Sequence, residues 1–551
     1  MHSRSLFFYS SLVVTAVGKI CPILGPAFPS AKNLHSSDIF QDALKSIQNT
    51  INTAISSGNS KYGQLDPNNT HSVQIFSIAS EQPLLDYHRR GLKVLGNRTI
   101  DGDSVYRVGS ISKLLTVYLL LLEVGETIFN EKVTKYLPEL KGVAHWNDIT
   151  IGSLAGYVGG ITAEFYDNSK LPGGDISAAY PNAYPPLAAN ETTGCVFGGA
   201  SGCSRAVFIQ NLIDRRPAYL PHTTPAYTNA AFAALGLILE SITNSTYEDA
   251  LHNLLGAPLH LNGTTSITPS PVNAVIPGNS SSWDWDISGG AGAGMGGLYS
   301  SPNDLSTIGR AILSSSLLPG STTRAWLKPT SFTSSLIGGV GRPWEIYRAV
   351  INPQPNRIVD MYTKGGDVPG YGAILVLIPD FDVGFTVMTA SSTRSSYAAM
   401  TALIGDELLP ALEEAARAQA DSLFAGTYTA ANGLNSTVKL TTTPGVPGLS
   451  IETWISNGTD LRLVLSGDSE AEYQLYPTNI ASEDGKELSW RAVYLSQPET
   501  GSPYDACPSW FGVDRPSYGI WGLDEMVFHL GEDGKARGME LRAQKIVLER
   551  V

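Results

Sequence analysis

The stretch Ser110-Ile111-Ser112-Lys113 precedes an apolar run, LLTVYLLLLEVGE, that is typical of one long helix. Because the run is apolar on most sides, we expect this helix to lie in the core. Positions three apart share one helix face, so the hydroxyl of Ser110 and the amine of Lys113 can meet. Burial and a second cation lower the pKa of a lysine, which can then accept a serine proton. The stretch therefore predicts a nucleophile, Ser110, and its base, Lys113.

Two other observations compete with this interpretation. The pattern occurs again at Ser436 and Lys439, in an alternating Thr/Val/Leu run that is typical of a strand. Positions three apart on a strand point to opposite faces, so the second copy cannot form the same pair. Ser110 can also be the N-cap of an ordinary polar helix start. The rest of the chain decides between these alternatives.

Length, composition and charge set the broad class. The 551 residues exceed one typical domain and can bury a large core. Hydrophobic residues make up 42% of the chain and charged residues 16%, as in a globular protein. The formal net charge of −13 argues against a basic surface for nucleic acid. We expect a monomer with a small-molecule or peptide substrate and no nucleic-acid partner.

Residues 1–18 have the features of a secretory signal peptide. Arg4 supplies positive charge, Leu6 to Val17 form a short apolar core, and small residues suit cleavage before Lys19. The core is too short to span a bilayer comfortably, although a signal anchor is the alternative. We therefore expect a secreted protein with no membrane association after cleavage.

The cysteines and sequons are also typical of an extracellular protein. The four cysteines lack the spacing of a metal site, and an even number suits two disulfides. More than one pairing is possible, and buried thiols are the alternative. We favour Cys195–Cys203, which closes a local loop, and Cys21–Cys507. The eight Asn-x-Ser/Thr sequons are candidate glycosylation sites, at Asn68, Asn97, Asn190, Asn244, Asn262, Asn279, Asn435 and Asn457.

The sequence changes in character along the chain. Residues 19–37 are rich in proline and are predicted to be extended. A domain over 38–422 is predicted to begin with an amphipathic helix and to end with a helix rich in Ala and Glu. Over 423–551, short strand-like runs broken by turn residues predict a small β-barrel or sandwich.

An irregular insert is predicted at about 162–205, which is rich in Pro, Gly and Ala and contains Cys195 and Cys203. So long an irregular segment within a domain is usually functional. We expect the insert to lie outside the core, near the mouth of the active site, and to influence substrate choice.

Two further motifs accompany Ser110 and Lys113. Tyr227 and Asn229 form a Tyr-x-Asn motif immediately before an apolar helical run. Lys364 begins a Lys-Gly-Gly sequence after an alternating strand, where glycines would let a substrate backbone lie against the strand edge. Lys364 would also add positive charge beside Lys113. Other copies of these short patterns lie in the insert or outside any expected cleft.

The order and local setting of the three motifs resemble the serine β-lactamase and penicillin-binding-protein superfamily. The resemblance is strongest to its class C-like branch, with esterases, D-aminopeptidases and secreted fungal β-lactamase-like proteins. It runs from about 38 to 415 and includes the stretches VTKYLPEL and GGLYSSPNDL. It implies an α+β fold, in which a β-lactamase/transpeptidase-like domain of a helical cluster and an antiparallel sheet precedes a small C-terminal β-barrel-like domain.

The resemblance implies a role for each motif residue and no metal or cofactor. Ser110 would be the nucleophile, Lys113 the base, and Tyr227 a partner in proton transfer. The backbone N–H groups of Ser110 and Asp367 would form the oxyanion hole. The residues implied at the substrate and oxyanion positions are Asn229, Lys364, Gly366 and Asp367.

The motifs also depart from the common pattern of the superfamily. The third motif is Lys-Gly-Gly-Asp, so a hydroxyl that would bind a β-lactam carboxylate is absent and Asp367 adds negative charge. The stretch from Leu154 to Gly160 lacks the His and Ser of many related proteins, and no deacylating glutamate is evident. We expect a secreted serine hydrolase or acyltransferase of the esterase, amidase or peptidase type. A catalytically inactive binding protein and a true β-lactamase are the alternatives.

Three remaining features receive structural interpretations. The glycine-rich stretch Gly292 to Gly297 matches Gly-x-Gly-x-x-Gly but lacks a surrounding βαβ unit, so we expect a flexible turn. His222 is expected to be a loop or structural residue. Trp283 and Trp285 are expected to pack rather than to line a pocket.

Overall fold

The computed structural model describes residues 21–551 except for 93, 96–97, 168–178, 189–190, 196–202, 279–284, 286–291, 354–355, 392–395, 432, 469–470 and 496–507. The predicted signal peptide, 1–18, therefore lies outside the described residues, as do Asn97, Asn190, Asn279, Trp283 and Cys507. The chain divides into two compact units. The larger unit consists of Ser30–Ala349 and Val359–Ala415, and the smaller of Met1–Pro29, Val350–Ile358 and Ala416–Val551.

The larger unit is built around an eight-stranded sheet that is antiparallel in every pairing described. Every residue of Thr70–Ser77, Tyr371–Ile378 and Val383–Ala390 is buried, so both faces of the middle of the sheet are covered. In sheet order the strands are Leu85–Arg89, Thr70–Ser77, Val383–Ala390, Tyr371–Ile378, Asn356–Val368, Glu345–Pro353, Gly338–Val340 and Ser331–Phe332. Two short strand pairs accompany it, Asn59–Ser60 with Gly63–Gln64 and Tyr106–Arg107 with Tyr299–Ser300.

The helices of the larger unit follow the apolar spacing of the sequence. Asp38–Ser57 begins where the Ser37 hydroxyl accepts the N–H of Phe40, and it ends at Gly58, whose φ is 74°. Its buried residues recur at helical spacing and include Leu44 and Ile51. The other helices that begin in this unit are Ile111–Val124, Val133–Tyr136, Ile151–Ala155, Arg205–Asp214, Asn229–Thr243, Tyr247–Leu251, Ala257–Leu259, Ala293–Gly296, Pro302–Leu313, Gly320–Trp326 and Tyr397–Phe424.

The helix Ile111–Val124, called here the central helix, is the buried helix that the apolar run predicts. It packs against Asn229–Thr243 and against one helical turn, Ala293–Gly296. The glycine-rich stretch, which was expected to form a flexible turn, supplies this helical turn. The small residues allow close packing, since a Cβ at Gly294 would lie only 2.7 Å from the carbonyl oxygen of Phe232.

The predicted insert differs from the expectation at its N-terminal end. Phe165 and Tyr166 are buried in the core of the larger unit, because their rings pack against each other and Phe165 contacts Phe208 edge-on with centroids 4.8 Å apart. The disulfide Cys195–Cys203 forms as predicted. The predicted partner of Cys21, Cys507, lies outside the described residues.

The smaller unit contains a closed eight-stranded β-barrel, which confirms the predicted architecture. Closure occurs because Leu449–Ser456 pairs with Thr437–Thr441 at the other end of the strand order. Around the barrel the strands are Thr437–Thr441, Gly426–Ala430, Ile546–Arg550, Ala536–Leu541, Glu525–Leu530, Glu487–Tyr494, Tyr473–Ala481 and Leu449–Ser456. The smaller elements of the unit are the strands Thr459–Asp460, Ser517–Tyr518 and Trp521–Gly522 and the helix Leu461–Ser466.

The core of the barrel is rich in aromatic side chains, including buried Trp490 and Phe528, whose ring centroids lie 5.5 Å apart. The second Ser-x-x-Lys copy lies at the edge of this core. Lys439 is exposed on a strand, whereas Ser436 is buried, so the pair does not repeat the helical arrangement.

Two observations on the described residues concern membrane-spanning helices and the candidate glycosylation sites. Among the described residues, no helix combines the length and the apolar character needed to cross a membrane. Four candidate glycosylation sites are exposed and Asn68 is partly buried. The exposed four are Asn244, Asn262, Asn435 and Asn457.

Candidate active site

Ser110 occupies the N-cap position of the central helix, but its side chain makes no capping hydrogen bond. The preceding residue, Gly109, has a φ of 50°, a left-handed conformation that a residue without Cβ adopts readily. The hydroxyl of Ser110 instead lies between two other side chains. Its Oγ is 2.9 Å from Nζ of Lys113 and 2.6 Å from the hydroxyl of Tyr227.

Lys113 is fully buried on the central helix and contacts three oxygen atoms. Besides Ser110, these are the amide oxygen of Asn229, at 2.7 Å, and the carbonyl oxygen of Met295. A neutral amine can donate to the last two and accept the proton of Ser110 with its lone pair. The side chains of the first two motifs are therefore adjacent, namely those of Ser110, Lys113, Tyr227 and Asn229.

The electrostatic setting lowers the proton affinity of Lys113. Burial lowers its pKa well below the usual value, and the positive charge of Lys364 lowers it further. The carboxylates of Glu164 and Glu345 act in the opposite direction. Burial raises the pKa of Tyr227, so its phenol keeps its proton at neutral pH and can donate it to Ser110.

Glu164 is a member of this cluster that the sequence did not reveal. The amide nitrogen of Asn229 donates to Oε1 of Glu164 at 2.7 Å, while the amide oxygen of Asn229 faces Lys113. A carboxylate only accepts hydrogen bonds, so it fixes which way the amide points. Burial raises the pKa of Glu164. No motif marked this residue, because it lies at the start of the predicted insert.

Tyr157 supports Tyr227 and is also absent from the predicted site. The two rings stack with centroids 5.4 Å apart and an interplanar angle of 19°. The hydroxyl of Tyr157 donates to the carbonyl oxygen of Pro343 at 3.1 Å, which holds the ring in place. The stretch that lacks the expected His and Ser thus supplies an aromatic support for the tyrosine of the second motif.

The third motif lies on the strand Asn356–Val368, directly beside Ser110. A Cβ at Gly366 would come within 2.0 Å of the carbonyl oxygen of Val108 and 2.7 Å of the backbone nitrogen of Ser110. Only glycine permits this approach. The predicted oxyanion donors, the backbone N–H groups of Ser110 and Asp367, therefore belong to adjoining segments.

Lys364 has an ion-pair partner that the sequence did not predict. Its Nζ lies 2.6 Å from Oε1 of Glu345, on the neighbouring strand Glu345–Pro353, and only 1% of its side chain is exposed. Lys364 therefore supplies positive charge next to Lys113, but this charge is already compensated.

Two residues that the sequence analysis set apart lie where it expected. His222 is an exposed residue with a φ of 63°. Trp285 is buried and packs edge-on against Tyr299 with centroids 4.9 Å apart.

Comparisons with known proteins agree with this architecture. The family model for beta-lactamase matches residues 73–409, and a model described as "Beta-lactamase-like-like, C-terminal domain" matches residues 416–551. A beta-lactamase-like protein from Arthroderma benhamiae is 30% identical over 585 residues, covering 97% of this chain and 96% of that protein. A probable hydrolase from Phoma sp. is 28% identical and covers 82% of this chain and 79% of that protein.

Among solved structures, a class C beta-lactamase from Rhodobacter sphaeroides has a TM-score of 0.48 and 17% identity. That likeness covers 67% of this chain and 98% of the other. The two family models together span both units of the structure, and the Arthroderma protein matches nearly end to end. The chain therefore belongs to the β-lactamase family, in which it combines the hydrolase fold with a C-terminal β-barrel domain.

Proposed function

We propose that this protein is a serine hydrolase or acyltransferase that acts on an ester or amide through an acyl-Ser110 intermediate. The observation that carries the proposal is the position of the Ser110 hydroxyl between two groups that can move its proton. Nζ of Lys113 lies 2.9 Å from Oγ, and the hydroxyl of Tyr227 lies 2.6 Å from it. A nucleophile and base at this separation are the usual requirement for covalent acyl transfer.

Acylation begins when Oγ of Ser110 attacks the substrate carbonyl and its proton passes to neutral Lys113. The carbonyl oxygen becomes an oxyanion, which the backbone N–H groups of Ser110 and Asp367 would stabilise; each such donor is worth about 3 kcal/mol. The tetrahedral species collapses as the bond to the leaving group breaks. Tyr227 and Lys113 return the proton to the departing oxygen or nitrogen.

Deacylation uses the same groups in reverse. A water molecule, or an alcohol or amine acceptor, gives up a proton to neutral Lys113 and attacks the acyl carbon. The ester bond to Ser110 then breaks, and Oγ recovers its proton. Water yields hydrolysis, whereas another acceptor yields acyl transfer, so the two outcomes share one machinery.

The cellular setting that we propose is extracellular. The Cys195–Cys203 disulfide suits an oxidising compartment, and the exposed sequons at Asn244, Asn262, Asn435 and Asn457 suit glycosylation. We propose that a signal peptide over 1–18 directs the chain to secretion and that the mature protein is a monomer. Its substrate is a small molecule or peptide.

A fluorophosphonate probe tests the proposal directly, because it phosphonylates an activated serine and releases fluoride. We expect labelling of the full-length protein at Ser110, mapped by peptide mass spectrometry, and no labelling of Ser110→Ala. The matched control is Ser436→Ala, in the second copy of the motif, which should label like the wild type. A screen of p-nitrophenyl esters, D-amino-acid amides and nitrocefin would then define the substrate type. Equal labelling of the two variants would exclude Ser110 as the nucleophile.

A further inference from the structure

The ammonium group of Lys364 is held inside the protein rather than presented to a ligand. Nζ donates to Oε1 of Glu345 at 2.6 Å and to the carbonyl oxygen of Gly365 at 2.7 Å. The second carboxylate oxygen of Glu345 accepts the backbone N–H of Gly365 at 2.9 Å. Glu345 thus binds both the side chain and the strand edge of the third motif, and each of its oxygens has a partner.

This ion pair lies beside the predicted nucleophile. Nζ of Lys364 is 5.4 Å from the centroid of the Tyr227 ring, and Nζ of Lys113 is 5.0 Å from the same centroid. The Tyr227 ring therefore lies close to two lysine nitrogens, one from the first motif and one from the third. Lys364 and Glu345 both act electrostatically on Lys113, which contacts Ser110.

In this arrangement Lys364 is not available to neutralise a carboxylate on the substrate. An ammonium next to a nucleophile would attract it, but the side chain of Lys364 is only 1% exposed and already has a counter-ion. A substrate carboxylate would either lie next to that of Glu345 or displace it from Lys364. Like charges in close contact are unfavourable at an interface. Leaving a buried charge unpaired also costs free energy.

Two further carboxyl groups lie among the motif residues and their partners. Asp367 is exposed in the third motif, and Glu164 contacts Asn229 beside Lys113 while Arg215 acts on it with a positive charge. Lys113 itself must be neutral to act as a base. Of Ser110, Lys113, Tyr227, Asn229 and Lys364, only Lys364 is then a cation, and Glu345 neutralises it.

We propose that Glu345 is a specificity-determining residue: as the internal counter-ion of Lys364, it excludes acyl donors that carry a carboxylate near the scissile bond. The site accordingly takes uncharged or cationic esters and amides. This inference rests on the proposed acyl-Ser110 function and narrows its substrate class.

Two thioesters of N-benzoylglycine test this inference, one made with mercaptoacetic acid and the other with mercaptoacetamide. They differ in a carboxylate against a neutral amide of similar size. Attack by Ser110 breaks the carbon–sulfur bond in both and releases a thiol that can be assayed. We expect the wild-type protein to prefer the amide thioester by at least about tenfold in kcat/KM, which corresponds to about 1.4 kcal/mol.

Glu345→Gln should reduce this preference by about tenfold or more, because it leaves Lys364 with a neutral neighbour that a substrate carboxylate can replace. Glu345→Asp, which keeps the charge, should retain the preference and guards against a variant that fails to fold. The charge-matched control is Glu532→Gln, which removes an exposed carboxylate of the smaller unit that accepts a hydrogen bond from Lys486. It should behave like the wild type.

The outcomes separate this inference from the function on which it rests. Equal use of both thioesters, a preference for the carboxylate, or an unchanged ratio in Glu345→Gln would overturn the role of Glu345 while Ser110 still reacts. Failure of the amide thioester with a protein whose Ser110 is labelled by the fluorophosphonate would overturn it as well. If neither thioester nor the fluorophosphonate reacts at Ser110, the proposed function itself is wrong.

Discussion

Replacing Glu164 with glutamine should shift the pH dependence of the reaction in a defined direction. The substitution keeps an oxygen that can accept the hydrogen bond of Asn229 but removes a negative charge. Glu164 raises the pKa of Lys113, so its neutralisation should lower that pKa further. Because the neutral amine is the active base, kcat/KM rises with pH as Lys113 loses its proton. The acid limb of the profile should therefore move to lower pH in Glu164→Gln.

The geometry gives the size of the shift. Asn229 bridges the two groups, with 2.7 Å from its nitrogen to Glu164 and 2.7 Å from its oxygen to Lys113. With the width of the amide, the charges are roughly 7 Å apart, where they interact by about 2.4 kcal/mol at an effective dielectric constant of about 20. This corresponds to at most about 1.7 pH units. We expect a shift of about one unit.

The assay measures kcat/KM for an uncharged p-nitrophenyl ester between about pH 4 and 9, and kcat is followed in parallel. Glu532→Gln, in the smaller unit, changes the net charge by the same amount and is not among the groups that act on Lys113. Its profile should match that of the wild type. An acid limb that stays in place or moves to higher pH in Glu164→Gln would refute the assignment of Lys113 as the base whose charge Glu164 controls.

Three further predictions concern the hydrogen-bond cluster, the strand edge and the disulfide. Lys113→Met and Tyr227→Phe should each lower kcat/KM by about three orders of magnitude. Because the two groups act as a unit, the double variant should be little less active than the less active single variant. Additive losses would contradict a shared proton path. Gly366→Ala should abolish most activity, since its Cβ would lie 2.0 Å from a backbone carbonyl oxygen beside Ser110, and steady-state kinetics with a melting curve would check this. Removing Cys195–Cys203 by a double serine substitution should lower the free energy of unfolding by about 2 to 3 kcal/mol, measured by urea denaturation, because the bond closes a short loop. An unchanged midpoint of urea denaturation would contradict this stabilisation by the disulfide.

The sequence was sufficient for the parts of the fold that depend on local pattern. The apolar run after Lys113 predicted the central helix because no face of it is polar enough to remain in water. The alternating runs and turn residues after Phe424 predicted a β-rich domain for the same local reason. The order of the motifs identified the family, since each motif stands next to the element that it requires. Local spacing also separated Ser110 from Ser436, because a helix and a strand place positions three apart differently.

The sequence could not predict contacts that depend on long-range packing. Glu164 and Glu345 carry no motif, and they act on Lys113 only because the chain returns to it from distant positions. The same holds for Tyr157, which supports Tyr227 through ring stacking. The start of the insert, with Phe165 and Tyr166, was expected outside the core because its surroundings are rich in Pro and Gly.

The sequence alone therefore determined which residues are candidates for the proposed chemistry, since residue type and local spacing select Ser110, Lys113 and the helix that carries them. The tertiary structure alone decided their charge states and partners. A pKa depends on burial and on charges within a few ångströms, and neither quantity is encoded in the residues on either side. For this reason Lys364 was predictable as a cation near the site, whereas its pairing with Glu345 emerged only when two neighbouring strands placed the side chains 2.6 Å apart.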